Sequence, residues 1–332
     1  MMLPMALYHI EIQSLKSSKI YYLAKTIRLN DKVLKVRQKL GNTPPSKNEK
    51  KDLISKPNLS LEIKALEKKI SFGEKAYKTK YLQREKVRKL EESKYWNYMF
   101  SLFLTSSEQE YYETNNEIEY VHGTTAIEGN TFSLQQVDEL LFKEVPPSDK
   151  SLREINEVQN YKMVQKIRET YNGKVTIPFI KKLHKIIMNK IDTESPGRFR
   201  RIDTIGIRGV DIAVCPAILI EDELQKIIEN FYSSIKEGSH PFEEAVTFHY
   251  GFETIHPFTD GNGRVGREIL NHMLTRAGFP RLIITKKDRE KYLKSLQYGN
   301  QEKYEHMLSE FLEIFEDKRS LVFNEIISGK LT

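Results

Sequence analysis

Residues 256 to 267, His-Pro-Phe-Thr-Asp-Gly-Asn-Gly-Arg-Val-Gly-Arg, constrain the chain more than any other stretch. Apolar residues recur at helical spacing over 241–254 and again over 264–276. Helices are therefore predicted on both sides, with only a short glycine-rich turn between them. The backbone N–H groups of Gly261, Asn262, Gly263 and Arg264 then point out of a helix N-terminus, where unpaired donors and the helix dipole favour an anion. Arg264 and Arg267 are three residues apart and share a face of the new helix. Together with a titratable imidazole, His256, and a hard-cation ligand, Asp260, this set suits a triphosphate.

Every fixed position of the pattern H-P-F-x-D-G-N-G-R-x-x-R is filled here, and in this the chain resembles the Fic domain family. The resemblance implies a mainly α fold, an all-helical catalytic core that transfers AMP from ATP to a hydroxyl of a target protein or of the enzyme itself. Such a transfer needs a base, a metal and clamps on the phosphates. His256 is the natural base, because imidazole titrates near neutrality. Asp260 is the natural ligand for Mg2+ (or Mn2+), which takes one or two carboxylates plus phosphate oxygens. By resemblance, Asn262 and the amides of Gly261 and Gly263 hold the α-phosphate, Arg264 the β-phosphate and Arg267 the γ-phosphate. Tyr292 and Asn300 fall in the region where family members contact adenine, and Ile207 is expected to cover the base. Phe258 reads as a core anchor of the loop.

Upstream, Thr124-Thr125-Ala126-Ile127-Glu128-Gly129-Asn130 ends a helix, with Gly129 as a natural residue just past its C-terminus and Thr131-Phe132-Ser133 opening the next. A carboxylate near a helix C-terminus is mildly unfavourable, so Glu128 needs a reason to be there. The run resembles the inhibitory motif of the family, Ser/Thr-x-x-x-Glu-Gly/Asn, with Thr124 first and Glu128 fifth, on an inhibitory helix near 115–128. Between the two motifs, Asp203 to Val214 alternates as a β-hairpin. By resemblance this is the flap, Ile205, Gly206, Ile207, Arg208 and Gly209, that holds the target by strand addition.

The rest of the chain is organised around a charge split. Residues 1–90 carry 22 Lys and Arg against 8 Asp and Glu, whereas the remainder carries 31 against 38. Three alternating runs within 6–40 predict a small basic antiparallel sheet with Asn30-Asp31 as a hairpin turn. Gly41 to Lys51 has linker composition, and Ser60 to Met99 reads as charged helix, one or two pieces, with Gly73 as a weak point. The domains expected are therefore a basic β-rich region at 1–45, a linker and charged helix at 46–100, and a catalytic domain at 101–332. Further helices are predicted at 107–125, 134–142, 152–170, 178–190, 222–236, 288–298 and 304–327.

No window approaches the roughly 20 apolar residues of a membrane span, and the first residues are too short for a signal-peptide core, so a cytoplasmic protein is expected. The lone Cys215 reads as a packed thiol. Three other activities stay open at this stage: a different Fic-type transfer, removal of AMP with Glu128 positioning water, and a non-enzymatic regulator led by the basic front end. Nucleic acid and a second copy of the chain likewise stay open as partners.

Overall fold

The computed structural model describes residues 8–29, 32–203 and 214–316. They belong to two compact units, Met1–Ala76 with Arg84–Thr105, and Tyr77–Gln83 with Ser106–Thr332.

In the first unit, strands β1 (Tyr8–Ser14), β2 (Lys19–Leu29) and β3 (Lys32–Gly41) form an antiparallel sheet in the order β1-β2-β3. Leu29 pairs with Lys32, the register that a two-residue connection imposes. Alternation sends Tyr8, Leu23, Ile27 and Val36 into a core shared with Leu61 and Ala65. Each such aliphatic side chain contributes about 1.5–3 kcal/mol by leaving water. Three helices follow, α1 (Lys47–Ser55), α2 (Leu59–Ala76) and α3 (Arg84–Phe103). Helix α1 lies partly inside the stretch expected to be linker. Ser46 accepts from Glu49 N–H while the Glu49 carboxylate accepts from Ser46 N–H, a capping box that outweighs the Pro/Ser/Lys composition. Nor does Gly73 weaken α2. A Cβ there would come within 2.3 Å of a Glu91 carboxylate oxygen, so the glycine lets α2 and α3 approach.

Apart from one isolated bridge between Lys78 and Ser239, the regular structure described in the second unit is helical: α4 (Ser106–Ile127), α5 (Leu134–Phe142), α6 (Leu152–Gln159), α7 (Tyr161–Thr170), α8 (Ile177–Ile187), α9 (Ile220–Lys236), α10 (Pro241–Ile255), α11 (Asn262–Arg276), α12 (Arg289–Asn300) and α13 (Tyr304–Glu316). Helix α11 is buried on nearly every side and forms the centre, with α10 against it. Gly266 allows that approach, since a Cβ would lie 2.4 Å from Glu253 Oε1. The single helix expected over 152–170 is two. Asn160 keeps helical dihedrals, but its buried amide donates to Ile187 O (2.9 Å) and Asn189 O (2.8 Å), which sets the break between α6 and α7. Among the described residues, no helix is long and apolar enough to cross a membrane. The hairpin expected around Ile205–Gly209 and the end of the last helix lie outside the described residues.

Candidate active site

The turn between α10 and α11 is closed by its own side chains. His256 ends α10 in the left-handed region (φ 48°), its N–H donating to Phe252 O. Asn262 then clasps Phe258 at both ends: Phe258 N–H donates to Oδ1 (2.8 Å) and Nδ2 donates to Phe258 O (2.7 Å). The Phe258 ring is fully buried and stacks on His184 at 3.7 Å. Gly197 N–H donates to His184 Nδ1, so the proton sits on Nε2, which donates to Asp260 O (3.0 Å). Gly261, at φ +81°, turns the chain into α11, and Val265 N–H makes the first bond back, to Gly261 O. The N–H groups of Asn262, Gly263 and Arg264 are thus the outward donors of the first turn.

Arg200 holds this turn from behind. Its guanidinium donates to His256 O (2.8 Å), Ile255 O (3.2 Å), Ile202 O (3.0 Å) and Cys215 O. A buried cation on the last carbonyls of α10 opposes the negative helix end. Burial lowers the His256 pKa, with the Glu253 carbonyl working the other way and Arg200 adding to the decrease. The imidazole is therefore neutral at pH 7 and able to accept a proton.

Two arginines and two carboxylates form a ring beside the turn. Asp260 binds Arg153 Nη2 (2.5 Å) and Arg264 Nη2 (3.1 Å), and Glu157 binds Arg153 Nε (3.3 Å) and Arg264 Nη1 (3.4 Å). Glu157 also accepts from Asn130 Nδ2 at 2.9 Å, which ties the upstream motif to the ring. Burial opposes ionisation of Asp260, but Arg264, Arg153 and the Gly261 N–H together hold its carboxyl below its ordinary pKa. The Asp260 side chain is 44% exposed, while Arg264 is buried and its Nε has no hydrogen-bond partner. A half-exposed carboxylate held beside a guanidinium suits a cation shared with phosphate oxygens. It does not suit an all-protein cage, and among the described residues no group of three or more His, Cys, Asp or Glu is arranged to hold a metal ion.

Arg267 lies one turn further along α11 and belongs to the upstream motif. Its Nε donates to Thr124 Oγ1 (2.9 Å), and Nη2 donates to Thr124 O (2.9 Å) and Glu128 Oε1 (2.7 Å). Burial alone would lower the Arg267 pKa, yet the Glu128 carboxylate keeps it raised. A Cβ on Gly263 would stand 2.4 Å from Glu128 Oε1. The carboxylate therefore sits over the first turn of α11, where the dipole favours an anion, and this explains its place after a helix C-terminus. Helix α4 is held for the purpose by Gly123, whose missing Cβ would meet Ile284 O at 2.3 Å, and by Arg289, which donates to Ile127 O.

Beneath Arg267 lies a buried titratable group. Tyr292 places its ring 5.8 Å from the guanidinium, and its hydroxyl meets His249 Nε2 at 2.9 Å. Burial pushes His249 down to about 3 and Glu253 up to about 8, so both are neutral near pH 7. Tyr292 is thus under the arginine rather than on an open wall. Asn300 is exposed and accepts from Tyr250 OH (3.1 Å). The structure brings His256, Asp260, Gly261, Asn262, Gly263, Arg264, Arg267, Thr124 and Glu128 together. Ile205, Gly206, Ile207, Arg208 and Gly209 lie outside the described residues. Sequence reasoning missed Arg153, Glu157, His184 and Arg200 as supports of the site.

Residues 174–274 match the Fic/DOC family. The protein adenylyltransferase Fic of Drosophila ananassae is 32% identical over 192 residues, 55% of this chain and 37% of that protein. The protein of the same name from Aedes aegypti is similar to the same degree. The chain therefore spans little more than a third of the length of these relatives. Among solved structures, Fic-1 (residues 134–508) from C. elegans is 26% identical with a TM-score of 0.63, covering 74% of this chain and 73% of that one. A Fic-domain-containing signaling protein from Bacteroides thetaiotaomicron, at 20% identity and a TM-score of 0.62 over 74% of this chain and 100% of its own, shares the fold.

Proposed function

We propose that this chain, whose residues 174–274 match the Fic/DOC family, transfers AMP from ATP to a hydroxyl side chain of a protein, and that Glu128 holds it in a resting state. The observation that carries this reading is the Glu128–Arg267 pair, closed over Gly263 beside an otherwise complete signature. The hydroxyl oxygen attacks the α-phosphorus, the bond to the β-phosphate breaks, and pyrophosphate leaves with the electron pair. Neutral His256 takes the hydroxyl proton as the new bond forms. The outward N–H groups of Asn262, Gly263 and Arg264 stabilise the charge that develops, as fixed donors of this kind do by several kcal/mol.

In this reading Arg264, now held by Asp260 and Glu157, binds the β-phosphate. Arg267 receives the γ-phosphate once Glu128 has left it. Asp260 would hold Mg2+, which would supply charge neutralisation on the leaving pyrophosphate. While Glu128 stays on Arg267, the third phosphate is kept out and the α-phosphorus is turned out of line. A misalignment of that kind costs about a hundredfold, on the order of 3 kcal/mol.

The test is ATP labelled at either the α- or the γ-phosphate, incubated with Mg2+, the Glu128→Gly chain and candidate target protein. Incorporation of the α-label alone, lost in a variant that also carries His256→Ala but still binds ATP within a few-fold, is the expected result. Incorporation of the γ-label, or full transfer with His256→Ala, overturns the mechanism.

A further inference from the structure

Strand β3 is an edge of the first unit's sheet, and along it runs a groove of about 940 Å³ shared with α2. Its walls include the consecutive residues Leu34, Lys35, Val36 and Arg37. Successive strand residues point to opposite faces, so a groove touched by all four follows the strand's edge, where alternate N–H and C=O groups have no sheet partner. Its apolar floor is Leu34, Val36 and Phe72, of which Leu34 and Phe72 are only partly covered by the core. The rim is Lys32, Lys35, Arg37, Lys64, Lys68 and Lys75, against one carboxylate, Glu67. Lys35 and Arg37 share Glu11 (2.6 and 3.6 Å), whereas Lys32, Lys64, Lys68 and Lys75 are exposed, with no carboxylate within ion-pair distance among the described residues.

We propose that this groove docks an acidic, extended polypeptide segment, added alongside β3 as a fourth strand. Three observations select that partner. The free backbone edge matches the amides of a peptide, and a stretch such as Lys32–Arg37 presents about 20 Å of it. The apolar floor takes alternate side chains, while the lysine rim neutralises the acidic ones between them. A nucleic-acid strand would use the lysines but leave the edge unpaired, and Phe72 is the single aromatic lining the groove on which a base could stack. The proposal involves no nucleotide and does not depend on the proposed transfer reaction.

The probe is a short fluorescent peptide of alternating Glu and Val, titrated with the full chain and followed by anisotropy. Binding is expected to weaken with added salt. It is also expected to fall at least about tenfold for the chain carrying Lys32→Glu, Lys64→Glu, Lys68→Glu and Lys75→Glu, because opposite-sign rim charges steer and hold the ligand. A peptide methylated on alternate backbone nitrogens should lose at least as much on the unaltered chain, an arm that does not depend on how the variant folds. Absence of peptide binding, equal binding of the methylated peptide, equal binding by the charge-reversed chain, or tighter binding of a single-stranded oligonucleotide of matched charge each overturns the proposal.

Discussion

Each unit holds a salt bridge that ties distant parts of the chain together, and the two differ in one respect. In the first unit, Lys25 Nζ lies 2.6 Å from both Glu62 oxygens, Tyr8 adds its hydroxyl, and the two charged side chains are 9% and 1% exposed. In the second, Arg267 is 3% exposed but its partner Glu128 is 36% exposed. A pair closed at both ends cannot lose one member without stranding a charge in the interior. When the carboxylate reaches solvent, another anion can take its place on the arginine. Burial on one side makes the difference between a structural fastening and an exchangeable one.

The sharpest way to break this comparison is Glu62→Ala, which strands Lys25 and Tyr8. A loss of about 3–5 kcal/mol is expected in urea unfolding, largely recovered when Lys25 and Glu62 are both replaced by methionine. A loss under about 1 kcal/mol would mean that the closed pair is no more committed than the open one. Glu128→Gly should do the reverse, changing stability by under about 1 kcal/mol while raising initial AMP incorporation at least about tenfold. Arg267→Ala in the same background should lose the gain, since the proposed clamp on the γ-phosphate is then missing as well. A Glu128→Gly rate equal to or below wild type would remove the inhibitory reading and favour a hydrolytic role for that carboxylate.

The smallest effect concerns pH. At the site, burial removes charge instead of committing it: His256 titrates below the ordinary imidazole pKa, and a base works only above its pKa. The Glu128→Gly chain should therefore keep more of its pH 7.5 rate at pH 6 than an unshifted imidazole allows. An unshifted imidazole would leave about a quarter in the basic form. A pH–rate profile with its acid limb at or above pH 6.5 would show that the group responsible is not this buried one.

Much of this architecture was legible because it is local. Period-two runs gave the three strands, helical periodicity the helices, and the 256–267 run a turn that has few ways to fold. The supports of the site were illegible because they are long-range: Arg153 meets Asp260 across 107 positions, and His184 meets it across 76. A charged or aromatic residue on a helix looks the same whether it faces water or a partner a hundred residues away. The α6–α7 break failed for a related reason, since Asn160 keeps helical dihedrals and only the carbonyls at 187 and 189 reveal its task. The capping box at Ser46 and Glu49 was a readable signal, masked by the composition around it.

Glu128 stands one residue past the end of α4, where Glu128 N–H and Gly129 N–H still bond back to Thr125 O and Ala126 O. Under the proposed reading, a carboxylate on so short a tether is a competitor whose local concentration is set by geometry and cannot be diluted. Raising ATP would then fill the nucleotide site without restoring the productive arrangement, because the rival anion is part of the enzyme and occupies only the third subsite. Control passes from metabolite level to mechanics. In that reading, whatever shifts the last turn of α4, held by Arg289 at the Ile127 carbonyl and by the close approach at Gly123, would act as the throttle.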